Sequence, residues 1–400
     1  MRFSKKVQSC GLSPMRKFHP YAVAAEAAGK RIYHLNIGQP DIETPPSFFH
    51  AIRDFSQQTL GYAPSPGMPQ LVQAIRTYYD HLGVTFDESA VIVTAGGSAA
   101  LQIALDCILD TGDALLIPEP FYPNYNTFVR TTGAAIHPIS TTAEEGYRYA
   151  LREKIIPEIN ERTRAILFTN PGNPTGVVLS QNELQILADI AREYGLVLIA
   201  DEVYREFVYQ GEPITTIAAL ENLEENAIII DSVSKRFSAC GARVGAILSK
   251  NHELMTQAMK YCQARLSVAT LDQIASAALY AIPETYFPPI REEYKQRRDI
   301  VLKMLQEMPG VICSNPGGAF YVMAKLPVKD ADDFQKWLLT DFDDHGETVM
   351  FAPGESFYAT AGRGRDEIRV AYVLKQEELK RSMELLQLGL EEYLARASHG

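Results

Sequence analysis

From about residue 90 to residue 250 the chain alternates short, unbroken apolar runs with stretches in which apolar positions return every three or four residues. The runs at 91–94, 114–117, 165–168, 196–200, 227–230 and 244–248 have the length and composition of strands buried on both faces. The stretches at 98–109 and 182–194 have helical periodicity. Buried strands separated by helices predict an α/β unit, a mostly parallel sheet sandwiched by helices. Past residue 285 the pattern changes. A charged, periodic stretch over 288–308 opens on Pro288-Pro289 and predicts one long helix. Strands are expected over 317–322, 348–351 and 367–372, and a last helix over 376–396. This part reads as a smaller α+β domain, with which the residues before about 45 are expected to pack. The expected division is therefore 1–45 (an arm and part of the small domain), 46–285 (the large domain) and 286–400 (the small domain).

Composition narrows the partners. A 400-residue chain that is 46% hydrophobic and 22% charged can fill two sizeable cores. Its net charge of −11 argues against a nucleic acid or an anionic membrane surface as partner. No apolar run approaches the roughly 20 residues that span a bilayer. The basic start Met1-Arg2-Phe3-Ser4-Lys5-Lys6 is followed by no apolar run and reads as an arm, not a secretory signal. Cys10, Cys107, Cys240, Cys262 and Cys313 are scattered and odd in number, which fits free thiols in a reducing compartment, the cytoplasm. The eight histidines form no metal-binding pattern, so no metal site is expected.

Candidate chemistry gathers at the C-terminal ends of the predicted strands, the edge where open α/β sheets bind ligands. In Ser232-Val233-Ser234-Lys235, directly after an apolar run, the lysine amine suits a Schiff base to the aldehyde of pyridoxal phosphate (PLP). The hydroxyls of Ser232 and Ser234, with Arg243 eight positions beyond the lysine, suit the cofactor's phosphate. Gly96-Gly97-Ser98 lies between a strand and a helix, and amides free at a helix start bind anions. Asp201 ends a buried strand, where a carboxylate is costly unless paired, and a pyridinium nitrogen would pair it. Tyr204, three positions on, can donate to the ring oxygen. The loop Asn170-Pro171-Gly172-Asn173-Pro174-Thr175-Gly176 is the least generic string in the chain, and the Asn173 amide can serve ring and substrate together. An aromatic in Pro120-Phe121-Tyr122-Pro123-Asn124-Tyr125 can stack on a flat ring. Arg369, inside the apolar run Ile368-Arg369-Val370, needs an anion, and its fork fits an α-carboxylate. Alone, each string also fits a plain turn, a core aromatic or a structural ion pair.

Taken in order, these residues resemble the class I/II aminotransferases of PLP fold type I, and the likeness runs from Asn36-Ile37-Gly38-Gln39-Pro40-Asp41 to the last helix. The resemblance implies a large domain with a seven-stranded sheet that holds PLP, and a smaller α+β domain. It implies Lys235 as Schiff-base lysine and general base, and Asp201 on the pyridine nitrogen. Tyr204 and Asn173 would contact the ring oxygen, with Tyr122 on the ring. Gly96, Gly97, Ser98, Ser232, Ser234 and Arg243 would form the phosphate site. Arg369 would bind the α-carboxylate, with Gly38 near it. Tyr62, in Tyr62-Ala63-Pro64-Ser65-Pro66-Gly67, would reach the phosphate from the partner subunit, so a homodimer is implied.

The resemblance also implies ping-pong transfer of an amino group from an amino acid to a 2-oxo acid. An ungapped match places Arg265, in Arg265-Leu266-Ser267, on the arginine that binds a distal carboxylate across the interface in aspartate aminotransferases. The first expectation is therefore transfer between aspartate and 2-oxoglutarate, with an alanine, aromatic or broad-specificity aminotransferase as the alternative. A PLP-dependent lyase would share the fold and Lys235. A PLP-sensing regulator would share the cofactor site but usually adds a DNA-binding domain, for which this chain has no room.

Overall fold

The computed structural model describes residues 1–209 and 214–397. Seven strands form one sheet in the order Val91–Thr94, Gly245–Leu248, Ala227–Ser232, Val197–Asp201, Thr163–Thr169, Ala114–Glu119 and Ala135–Ser140. Every pairing in it is parallel except the two made by Gly245–Leu248. Successive side chains of a strand point to opposite faces, so an unbroken apolar run feeds two cores at once. Ile92, Leu115, Leu167, Ile199 and Ile247 pack on one side with the helices Gly97–Ile108 and His252–Ala264. Val93, Leu116, Phe168, Leu198 and Leu248 pack on the other with Pro69–His81, Gln181–Tyr194 and Thr270–Tyr280. The fold is thus the large-sheet α/β architecture expected. Helix Gln181–Tyr194 shows how firmly local sequence sets an element. Ser180 and Glu183 close a reciprocal capping box at its start, and Gly195 ends it at φ 65°.

A second core lies beyond the large sheet. Here Ala352–Pro353, Glu367–Ala371, Tyr321–Lys325 and Ile312–Cys313 form an antiparallel sheet in that order. The helices Phe287–Glu307 and Gln376–Ala397 pack against each other beside it. The N-terminal chain joins this unit, because Arg31–His34 pairs in parallel with Glu347–Met350.

Three expectations are corrected. The strand placed over 317–322 begins at Tyr321. Gly317 and Gly318 instead approach Val178, the Phe207 carbonyl and Pro171, and Ala319 takes a left-handed φ of 55°, so the chain cannot yet run straight. Ala135–Ser140 is a strand that the hydrophobic pattern did not predict. The helix placed from residue 98 starts one residue earlier, at Gly97, with Gly96 as its N-cap.

Candidate active site

The strand ends meet in one cavity of about 420 Å³. Because Gly245–Leu248 is antiparallel, its beginning lies at the edge where its neighbours end, and this brings Arg243 to the same place as Ser232 and the turn after Val91–Thr94. The first backbone amide of helix Gly97–Ile108 with a backbone acceptor is that of Ala99, bound to the Gly96 carbonyl at 3.2 Å. Among the described residues the amides of Gly97 and Ser98 have none. A Cβ on Gly96 would stand 2.5 Å from Arg243 Nη2, so the guanidinium lies over this turn. Ser232 caps the short helix Val233–Arg236 by accepting the Ser234 amide, and its Oγ lies 2.9 Å from Ser234 Oγ. Two free amides, two hydroxyls and a guanidinium thus face one end of the cavity, a concentration of donors suited to a phosphate.

Lys235 and Asp201 occupy its middle. Lys235 Nζ donates to the Gly38 carbonyl at 2.8 Å and lies 3.8 Å from Cys240 Sγ. It has no carboxylate partner among the described residues. The next side chain, Arg236, points the other way into a buried pair with Asp231 at 2.7 Å and lies over the Tyr78 ring, which pins the helix that presents the lysine. Asp201 accepts from Tyr125 at 2.7 Å and from the Val203 amide at 3.4 Å, and it too has no ion-pair partner among the described residues. Burial pushes its carboxyl up to about 6, against the pull of those two donors. A pyridinium N–H⁺ would relieve this cost. Burial, reinforced by Tyr321, pushes the Tyr204 phenol well up, so Tyr204 remains protonated and a donor. Its hydroxyl lies 2.9 Å from that of Tyr321 and 3.5 Å from Asn173 Nδ2.

Arg369 stands at the third corner. It is 3% exposed, donates to Asn173 Oδ1 at 3.0 Å and to the Asn36 carbonyl at 2.6 Å, and lies over the Tyr321 ring. All these partners are neutral, its Nε has no acceptor, and burial pushes its pKa down. A buried guanidinium without a counter-ion is expensive, and this one borders a cavity open to a carboxylate.

Of the residues expected from sequence, Gly38, Gly97, Ser98, Tyr122, Asn173, Asp201, Tyr204, Ser232, Ser234, Lys235, Arg243 and Arg369 line this cavity. Gly96 is buried beneath Arg243 and does not line it. Tyr62 is 83% exposed and lies outside it. Arg265 also lies outside and turns inward, donating to the Val93 carbonyl at 2.5 Å and to Cys262 Sγ at 3.3 Å. Sequence reasoning missed Tyr125, Tyr321, Cys240 and Arg16. Only Tyr125 carried a signal, because it lies one helical turn after Tyr122 in the string already singled out.

A doubly covered α/β sheet with a lysine, a carboxylate and an arginine that lack ion-pair partners among the described residues, around a cavity rich in donors at one end, has the character of an enzyme site suited to small anions. The comparisons are more specific. The profile of aminotransferase class I and II matches residues 30–386, and the chain belongs to that family. It is 29% identical over 367 residues to an aspartate aminotransferase of Pyrococcus horikoshii, covering 90% of this chain and 91% of that protein. A structure of the Thermus thermophilus aspartate aminotransferase with maleate superposes with a TM-score of 0.88 at 28% identity, covering 97% of this chain and all of that one. An alanine aminotransferase from Pyrococcus furiosus reaches 0.90 at 29% identity, over 98% and 100%. The protein is therefore an aminotransferase of PLP fold type I architecture.

Proposed function

We propose that this aminotransferase uses PLP to move an amino group between L-aspartate and 2-oxoglutarate, as a cytoplasmic homodimer. The observation that carries amino-group transfer is the buried Arg369, which has no carboxylate partner among the described residues and borders the same cavity as Lys235 and Asp201, and the likeness to aspartate aminotransferases supports aspartate as donor. The residues fit the cofactor. Gly97, Ser98, Ser232, Ser234 and Arg243 would hold its phosphate, joined by Tyr62 from a second subunit. Asp201 would meet the ring nitrogen, Tyr204 and Asn173 the ring oxygen, and Tyr122 the ring face. When bound, PLP supplies an aldehyde for the amino group and a ring that spreads the charge left on the substrate α-carbon.

The chain's own groups do the rest. Arg369 and Asn173 fix the α-carboxylate and so present the α-hydrogen in one direction. Lys235 Nζ, facing the same cavity, would act as the base that takes that proton and holds it for return. Tyr125 holds the Asp201 carboxylate in place through its hydroxyl. One cavity serves both oxo acids, so the first product leaves before the second substrate enters, a ping-pong order. Residues 46–285 would supply the cofactor site and Asn173, and 1–45 with 286–400 the Arg369 side of the carboxylate clamp. Five free cysteines suit a reducing compartment, and no helix among the described residues is long and apolar enough to cross a membrane.

The test is an absorbance scan of the purified protein loaded with PLP, with single amino acids added in turn. Aspartate and glutamate are expected to convert the bound cofactor to its aminated form with one 2-oxo acid released per site, and Lys235→Ala to lower kcat by at least about 10³-fold. Conversion by alanine alone would replace aspartate with the alanine reading. No cofactor absorbance even with PLP supplied would remove the assignment of Lys235.

A further inference from the structure

The cations lining the cavity are Arg16, Lys235, Arg243 and Arg369, and the one carboxylate among its lining residues is Asp201. On the function proposed above, Lys235 engages the cofactor, Arg243 its phosphate and Arg369 the α-carboxylate. Arg16 is left over. Its guanidinium makes no hydrogen bond or ion pair with any described residue. We propose that Arg16 binds the distal carboxylate of a dicarboxylic substrate and thereby sets the preference for aspartate and glutamate.

The backbone around Arg16 is held while its side chain is not. It ends the short turn Pro14–Arg16, between two tethered residues. Met15 Sδ accepts from Arg369 Nη2 at 3.6 Å, so the carrier of Arg16 touches the α-carboxylate clamp itself. Lys17 pairs with Asp332, and Phe18 is buried against the small domain with Leu339 and Met350. Upstream, Lys6 donates to the Thr132 carbonyl at 3.0 Å and Arg130 to the Ser9 carbonyl at 2.5 Å, which ties the segment to helix Asn124–Thr132 of the large domain. The segment therefore bridges the two domains and delivers one unpaired cation to the cavity that Arg369 also lines. A substrate with carboxylates at both ends finds a guanidinium for each. A substrate with one finds Arg16 solvated and loses nothing there. Arg265, by contrast, has its guanidinium committed to the Val93 carbonyl and would have to give up that bond first.

The assignment rests on the dicarboxylate reading, and the experiment separates the two. Steady-state kinetics of the PLP-loaded enzyme with L-aspartate and L-alanine are compared for wild type, Arg16→Ala, Arg16→Lys and Arg265→Ala. Calorimetry measures maleate and acetate binding to wild type and Arg16→Ala. A charged hydrogen bond of ordinary strength predicts that Arg16→Ala lowers kcat/KM for aspartate about 10–100-fold, mainly through KM, with alanine unchanged. Arg16→Lys is expected to restore part of the loss, and maleate but not acetate to bind more weakly to Arg16→Ala. Equal losses for both amino acids, or an unchanged ratio in an enzyme that prefers aspartate, overturns the role of Arg16. A ratio that falls in Arg265→Ala alone transfers the role to Arg265. A wild type that turns over alanine as well as aspartate overturns the dicarboxylate reading itself.

Discussion

Asp201 shows what a single side chain can be held to do. Its carboxyl, pushed up to about 6 by burial, keeps its proton in the folded protein over a range where the unfolded chain, near 4, has lost it. The folded state then binds more protons than the unfolded one, so this group's contribution to stability is full below about pH 4 and falls as pH rises toward 6. In cofactor-free protein, Asp201→Asn removes that cost while keeping an acceptor for Tyr125. The variant is expected to be more stable than wild type at pH 7.5 by roughly 3 kcal/mol, with the gap closing toward pH 4.5, as read from urea midpoints. A difference that does not change with pH would mean that the carboxyl is not perturbed in this way. Asp201 and Arg369 were legible in the sequence because a charge at the end of, or inside, an apolar run is anomalous and demands a partner, and Asn173 because its loop is crowded with proline and glycine. Tyr321 was not, since a tyrosine in an apolar run reads as core until its hydroxyl is seen to face Tyr204, and Tyr125 had only its place in the aromatic string after Glu119 to mark it before its hydroxyl is seen to face Asp201.

Elements constrain one another where backbones touch. At Gly245 an added Cβ would meet Gly96 C and Gly97 N at 2.6 Å and the Asp231 carbonyl at 2.8 Å, all of them backbone atoms that cannot rotate away. The antiparallel strand therefore presses directly on the turn whose amides would receive the phosphate. Gly245→Ala is expected to push that turn outward, weaken PLP binding at least about tenfold and cost about 1–3 kcal/mol of stability. A fluorescence titration with PLP and a urea melt check the two effects, and unchanged affinity would show that the turn absorbs the methyl. The direction of this strand was not written in its residues, because 91–94 and 244–248 are both plain apolar runs and only the return of the chain decides which way the second one points. Ala135–Ser140 was missed for another reason. It pairs with Ala114–Glu119 alone, carries His137 and Pro138, and is mostly half-exposed, so it has the mixed character of an edge strand.

At the scale of the whole molecule, the surface around Tyr62 asks for a cover. Tyr62 is 83% exposed, Leu60 58% and Leu266 50%, and the Thr270 hydroxyl donates to the Gly61 carbonyl, so these side chains stand on two loops tied together. Exposed apolar groups in one patch mark an interface, and a closed twofold pair is the commonest way for identical chains to cover one. Sedimentation is expected to show a dimer. If Tyr62 serves the other subunit's site, mixing inactive Lys235→Ala with weakened Tyr62→Ala subunits restores one complete site in each mixed dimer. Random exchange then recovers about a quarter of wild-type activity. Mixed dimers without recovery would place Tyr62 outside the other subunit's site. The threading of the chain has a last consequence, for synthesis. Arg31–His34 emerges early from the ribosome, but its partner Glu347–Met350 and the strand that carries Arg369 are translated more than 300 residues later. Until then the cavity has the lining that comes from the strands of the large sheet but not Tyr321 or Arg369. A chain released before that point would lack Arg369 and every other group that residues 286–400 bring to the cavity.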